Sequence, residues 1–361
     1  MEWWAVFCAV FGSFGGLSLL VRGLNAALWY LDRMTRADVF AQSFAVMKAR
    51  APGFRVDGKH VFITGGSSGI GLATAKKYAQ AGAKVSIMAR GLDRLETAKR
   101  EIEAVRKHPS DPVFVHSCDV ADFEALQKAV DAANAFHKRV TDHVVCSAGY
   151  VEPGYFLDQD VSGFKRSMDV NYFGCLYAVR AALPAMVKRL ELEPSNDGGQ
   201  IVLVGSGFSL LACIGVAQYS SAKYALRGLA ESLRNELQLY GIRVSIFYPG
   251  NIDTPMYVQE QALMPPEGKT IEGVSLPLEP ESAAQMLIDG LADGQFSITT
   301  DPLVFLLRIL ANGVGPRNNT VLEAAMLPLI VGIQVAFLAF MDAVVLYSRW
   351  KRMKKSEKKD Q

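Results

Sequence analysis

One stretch constrains this chain more than any other: His60-Val61-Phe62-Ile63-Thr64 runs directly into Gly65-Gly66-Ser67-Ser68-Gly69-Ile70-Gly71 and on into "LATAKKYAQAG". The β-branched run predicts a strand, the apolar spacing after it predicts a helix, and the G-x-x-x-G-x-G pattern predicts a tight turn between the two. Such a turn lets a ligand approach the backbone closely, and the first N–H groups of the helix are free to meet phosphate. The alternation then continues. The short runs "KVSIM", "PVFVH", "HVVCS", "QIVLVGS", "IRVSIFYPG" and "FSITT" are separated by amphipathic stretches such as "DFEALQKAVDAANAFH". Seven strands separated by helices predict an α/β fold, a doubly wound parallel seven-stranded sheet of Rossmann type, and no solenoid repeat competes with it.

The ends of the chain are different. Residues 3–21 carry no charge and are followed by Arg22, Arg33 and Arg36, which predicts a retained membrane anchor with the chain beyond it on the cytosolic side. A cleaved signal peptide would begin with basic residues, whereas this chain begins Met1-Glu2. Three regions result: residues 1–57 as anchor and linker, 58–301 as the sheet domain, and 302–361 as a membrane-associated segment with a basic tail. In that last region residues 302–311 are too short to span a bilayer, while 321–347 are long enough to cross once. Net charge is +2, and the last thirteen residues hold seven Lys or Arg against Glu357 and Asp360, so the rest is slightly acidic and carries no nucleic-acid footprint. Five scattered cysteines without a CxxC spacing indicate neither a disulfide framework nor a zinc site, and the five histidines form no ligand pair.

Chemistry gathers at a few positions. After the second strand the chain has Ala89-Arg90 where an enzyme selective for NAD would place an acid, and Arg90 would attract the 2′-phosphate of NADPH. Arg94, one turn further, either assists or is a solvated helix charge. Asp119, after the third strand, sits either at an adenine edge or at the N-cap of the next helix. Tyr219 and Lys223, four residues apart in "YSSAK", share one helix face, where an ammonium lowers the pKa of a phenol and makes it a usable acid toward a carbonyl oxygen. Ser206, at the end of "QIVLV", offers a second hydroxyl to the same oxygen.

Taken together, "TGGSSGIG", Asn171 in "MDVNYFG", Ser206, "YSSAK", and "YPGNIDTP" from Tyr248 to Pro255 resemble the short-chain dehydrogenase/reductase family across residues 58–301. The resemblance implies that Tyr219 donates the proton in a reduction, and that Lys223 lowers its pKa and binds the nicotinamide ribose. It also implies that Ser206 polarises the carbonyl and that Asn171 supports a water chain to Lys223. It implies cofactor contacts at Gly65, Ser67, Ser68, Gly69, Ile70 and Gly71 in the glycine turn, at Asp119 and Val120, and at Pro249, Gly250, Ile252 and Thr254 beside the nicotinamide. One departure stands out: the family's usual Asn-Asn-Ala-Gly after the fourth strand is Cys146-Ser147-Ala148-Gly149 here, which puts the asparagines' hydrogen bonds in question.

Residues 256–279 have little regular pattern and much apolar content, as expected of a substrate lid suited to a lipid chain. Within the family, the glycine-turn stretch, "YSSAKYALRGLAESLRNEL" and the hydrophobic C-terminal extension are similar to the branch that reduces the lipid ketone 3-oxosphinganine to sphinganine with NADPH, on the cytosolic face of the endoplasmic reticulum membrane. Lys358-Lys359-Asp360-Gln361 reads as a KKxx retrieval signal or as a plain positive flank. A steroid, retinoid or 3-ketoacyl-CoA reductase would share the fold and cofactor, and a non-catalytic binding module would have lost part of the Ser/Tyr/Lys set. A homo-oligomer is left open. Asn318-Asn319-Thr320, a glycosylation sequon, is expected to stay unmodified if residues 302–348 form a hairpin that does not cross the bilayer.

Overall fold

The computed structural model describes residues 54–192, 198–273, 275–312 and 315–357. The expected anchor at 3–21 and the KKxx residues at 358–361 lie outside the described residues. Seven strands form one sheet: β1 (His60–Thr64), β2 (Lys84–Ala89), β3 (Phe114–Ser117), β4 (His143–Cys146), β5 (Gln200–Val204), β6 (Arg243–Tyr248) and β7 (Ser297–Thr299). Their order is β3-β2-β1-β4-β5-β6-β7, and every pairing is parallel. A parallel sheet covered on both faces has no solvent side, so its strands need not alternate, and β1, β4 and β5 are buried at every position. The strand order reverses between β1 and β4. That switch point leaves a crevice at the carboxyl ends of the strands, where ligands bind in open α/β sheets.

Two apolar cores flank the sheet. On one face lie Leu126 and Val130 of α3 (Phe123–His137), Ala178 and Met186 of α5 (Gly174–Leu192), and Leu226 and Ala230 of α6 (Ala217–Glu236). On the other lie Ala75 and Tyr78 of α1 (Gly69–Gln80), Leu95 and Ile102 of α2 (Leu92–Val105), and Leu287 and Leu291 of α9 (Pro280–Ala292). Between β4 and α5 come α4 (Val161–Met168) and a π-helical turn, Asp169–Phe173. The run Val161–Leu192 is long and apolar enough to cross a membrane by composition, yet its buried Ala178, Ala182 and Met186 make it a core element.

The remaining helices close the carboxyl edge: α7 (Pro255–Leu263), α8 (Pro266–Glu272), α10 (Pro302–Ala311) and α11 (Thr320–Glu357). The expected irregular lid is therefore two short helices. Helix α10 begins one residue beyond the expected domain boundary, but Val304 and Ile309 are buried and Val304 belongs to the sheet's own core. Asp301 sets its start, accepting from the Val304 N–H at 3.0 Å with Pro302 in the first turn. The next loop also stays with the sheet, because the Asn318 side chain donates to the Ser297 carbonyl (2.6 Å) and accepts from its N–H (3.3 Å). A buried ion pair, Arg308 to Glu323 at 2.9 Å, joins α10 to α11. Helix α11 packs against α10 and α8 and buries Ile330, whereas Leu338, Phe340, Leu346 and Trp350 further along are exposed.

Candidate active site

A cavity of about 420 Å³ lies at the carboxyl ends of the strands and runs from the glycine turn to α10. Its first end is made of backbone. Gly65 has φ +70° and its N–H donates to the Met88 carbonyl at 2.8 Å, which folds the turn over the end of β2. A Cβ on Gly71 would lie 2.3 Å from the Gly65 oxygen, so α1 approaches the turn as closely as it does only because position 71 has no side chain. Ser68 is the N-cap of α1, and the first turn of that helix holds no acid. Its free N–H groups and dipole therefore face the cavity without a competing carboxylate, which suits a pyrophosphate.

Ser67, Gly69, Ile70, Arg90, Arg94, Asp119, Val120, Ile252 and Thr254 all reach this cavity, as expected. Arg90 and Arg94 are exposed side chains at the rim. The Ser117 hydroxyl donates to the Arg90 carbonyl at 2.8 Å, fixing the end of β2 against β3. Asp119 is not the cap of the following helix: Asp122 is, accepting from the Ala125 N–H, while Asp119 accepts from the Ala121 N–H and orders the turn. Thr254 caps α7 through the Tyr257 N–H, and its methyl would lie 2.9 Å from a Cβ on Gly69, so it joins the lid to the glycine turn.

Ser206 and Tyr219 line the same cavity, and Ser206 favours the ionised form of the phenol. Ser206 is fixed by a capping box after β5, in which its Oγ accepts from the Phe208 N–H and its N–H donates to the Ser209 hydroxyl. Lys223, 3% exposed, donates to the Val204 carbonyl at 2.8 Å, and its ammonium lies 5.5 Å from the Tyr219 ring centre. Strand β5 thus holds both Ser206 and Lys223 within reach of one phenol. Burial pulls the Lys223 pKa down to about 8. Burial also pushes the Tyr219 phenol up, with the charge of Glu260 adding to the rise and Ser206 opposing it. The expected lowering by Lys223 does not appear: burial dominates at the phenol, and the ammonium donates to the Val204 carbonyl.

Asn171 stands behind the cavity wall, in the π-helical turn. Its amide donates to the Tyr150 carbonyl (2.7 Å) and to Ser167 (3.0 and 3.1 Å), and its oxygen accepts from the Tyr150 N–H. It braces the loop after β4. At Cys146-Ser147-Ala148-Gly149 the turn is held by backbone donors: the Ser147 and Ala148 N–H groups donate to Thr64 Oγ1 at 3.2 and 3.3 Å.

Sequence reasoning missed two parts of the site. Leu303, Val304 and Leu307 of α10 form an apolar wall, and their spacing after Asp301-Pro302 was a usable signal of an amphipathic helix. Glu260 of α7 and Glu272 of α8 also line the cavity. Burial, with each other's charge for Glu260, pushes their pKa values up to about 8 and about 7. No sequence signal marked them.

The chain matches the short chain dehydrogenase family model over residues 59–263, and it belongs to that family. It is 31% identical over 319 residues to a Dictyostelium discoideum protein named 3-ketodihydrosphingosine reductase, covering 85% of this chain and 93% of the relative. It is 34% identical to the 3-dehydrosphinganine reductase of Danio rerio (73% and 78% covered) and 32% identical to the 3-ketodihydrosphingosine reductase of Bos taurus (80% and 86%). Among solved structures, a dehydrogenase/reductase from Sinorhizobium meliloti 1021 superposes with a TM-score of 0.60 at 28% identity, covering 71% of this chain and 99% of that one. A short chain dehydrogenase/reductase from Burkholderia phymatum in complex with NAD shares the fold, with a TM-score of 0.62 at 22% identity over 72% of this chain and 95% of that one.

Proposed function

We propose that the chain reduces 3-oxosphinganine to sphinganine with NADPH. The observation that carries this reading is that Ser206, Tyr219 and Lys223 line one cavity, with the ammonium 5.5 Å from the Tyr219 ring centre, in a chain whose relatives carry that reductase name. NADPH, when bound, supplies the hydride, and the acid–base work falls to the chain. Ser206 donates a hydrogen bond to the substrate carbonyl, and Tyr219 passes its phenolic proton to the same oxygen as the carbonyl carbon becomes a secondary alcohol carbon. Lys223 holds the nicotinamide ribose and stabilises the phenolate that proton transfer leaves behind. Arg90, exposed at the rim with no acid at the end of β2, takes the 2′-phosphate, and Arg94 adds charge there. Gly65 to Gly71 and the start of α1 hold the pyrophosphate; Asp119 and Val120 meet the adenine; Ile252 and Thr254 flank the nicotinamide.

The membrane part of the reading rests on the ends of the chain. Exposed apolar residues of α11 lead to Tyr347 and Trp350, each covered by a lysine, Lys351 at 4.5 Å and Lys354 at 4.3 Å from the ring centres. Aromatic and basic side chains after an apolar run suit a bilayer interface. On this reading the domain faces the cytosol at the endoplasmic reticulum membrane, with residues 3–21 and α11 as its anchors.

The test is NADPH oxidation by detergent-solubilised full-length protein. Turnover with 3-oxosphinganine and little with a steroid ketone supports the reading. Turnover with the steroid alone would assign the chain to another lipid ketone.

A further inference from the structure

Glu260 and Glu272 are two carboxylates that the acid–base machinery leaves unused. They come from different lid helices yet line one wall of the cavity, and their negative charges are felt at Tyr219 and Cys213 as well as at Tyr257. Glu272 is held firmly. Its carbonyl accepts from Asn251 at 3.3 Å, and its Oε2 accepts from the Gln261 amide at 2.6 Å. Its Oε1 is buried without a hydrogen-bond partner, in a residue only 9% exposed. Among the described residues neither glutamate forms an ion pair.

Two nearby carboxylates sharing a buried wall repel each other, and an orphaned carboxylate oxygen costs the full loss of its hydration. A site of this kind is stabilised by a cation. The wall belongs to the same cavity as Ser206 and Tyr219, so a cation bound there would be part of the substrate whose ketone they meet. In 3-oxosphinganine a primary amine sits on the carbon next to the ketone, so it would share this cavity with Glu260 and Glu272 while the carbonyl meets Ser206 and Tyr219. A primary ammonium supplies three N–H donors, enough for the free Glu272 Oε1 and for Glu260 together.

We propose that Glu260 and Glu272 form a subsite for an ammonium group on the carbon next to the ketone, so that the pocket selects α-amino ketones over neutral lipid ketones. This subsite rests on the reading of the chain as a lipid-ketone reductase and names what that reductase recognises. The hydrocarbon tail then has the apolar wall of Leu303, Val304 and Leu307 available to it.

The experiment compares two substrates in the same detergent micelles, with full-length protein and saturating NADPH: 3-oxosphinganine and a long-chain 1-hydroxy-3-ketone that lacks the amine. The wild-type protein is expected to favour the amine in kcat/KM by about ten- to a hundred-fold, the size of a charge-assisted contact. In Glu272→Gln and Glu260→Gln that ratio is expected to collapse toward one through a raised KM for the amine, with NADPH affinity retained as a check of folding. Equal turnover of the two ketones by the wild-type protein would overturn the subsite and leave the reductase reading standing. A loss of the same size for both substrates in the variants would also overturn it, by making the carboxylates parts of the lid scaffold. Reduction of neither ketone would overturn the reductase reading and the subsite together.

Discussion

The two ends of the cavity are built by different means. The nucleotide end is backbone: a left-handed Gly65, a side-chain-free Gly71 against the Gly65 carbonyl, and the open first turn of α1. The lid end is side chain: Glu260, Glu272, Leu303 and Leu307, brought together by three short helices from 100 residues further along the chain or more. A backbone site tolerates almost no change in residue type at its glycines but accepts any ligand with the right phosphates. A side-chain site folds with many sequences and draws its selectivity from the few that are present. Tyr219, on α6 between the two ends, is the group both must serve.

The largest expected effect falls on that shared group. Tyr219→Phe should lower kcat by about 10²- to 10⁴-fold while leaving NADPH binding, followed by fluorescence titration, near the wild-type value, because only the proton donor is lost. If cofactor affinity fell in step with turnover, the phenol would belong to the nucleotide end and the division would fail.

Gly71→Ala sharpens the comparison from the nucleotide side. Its added Cβ meets a backbone oxygen at 2.3 Å, so the turn itself must move. Overpacking of this kind costs about 1 to 3 kcal/mol, or about five- to a hundred-and-fifty-fold if it falls on the bound state. The dissociation constant for NADPH and NADH should rise together by that factor, with the amine-to-neutral substrate ratio unchanged. A similar factor is expected for Arg90→Ala, but only in the KM for NADPH. Equal changes for NADH would place Arg90 on the solvated surface.

The smallest effect tests the lid. The folded chain holds Glu260 with a pKa near 8, against an ordinary value of 4.5. Between those values the folded state binds a proton that the unfolded chain has released, so stability falls as pH rises through this window. Glu260→Gln removes the titration. The substrate-free variant should therefore melt about 2–4 °C above the wild-type protein at pH 8, on the scale of roughly 1 kcal/mol, with the difference shrinking toward pH 4. A constant difference at every pH would mean that Glu260 titrates as an ordinary surface carboxylate.

The same division explains what could be read from the sequence. Strand β1, the glycine turn and α1 are local in the chain, so their residue types and spacing carry the geometry directly, and the alternation of apolar runs carries the seven strands. Ser206, Tyr219 and Lys223 were legible because strand end and helix face fix their spacing. The Glu260–Glu272 wall was not, since an acid in an irregular lid looks solvated until tertiary packing buries it. Helix α10 is legible only in part for a related reason: Asp301-Pro302 marks a helix start, but nothing local says that its apolar residues pack on the sheet's core. Its place on the core depends on the long-range bonds from Asn318 to Ser297 and from Arg308 to Glu323, which no local pattern announces. Asn171 stands out in the sequence, but its hydrogen bonds to Tyr150 depend on a loop 21 residues earlier in the chain.

Hydride transfer itself is the most direct test of the account. Full-length protein in detergent would be incubated with 3-oxosphinganine and NADPH deuterated on both hydrogens of the nicotinamide C4, and the product examined by mass spectrometry. The expected result is sphinganine carrying one deuterium on C3, absent when Tyr219→Phe replaces the wild-type protein over the same time. Sphinganine without deuterium, or deuterated product formed equally well by Tyr219→Phe, would contradict it.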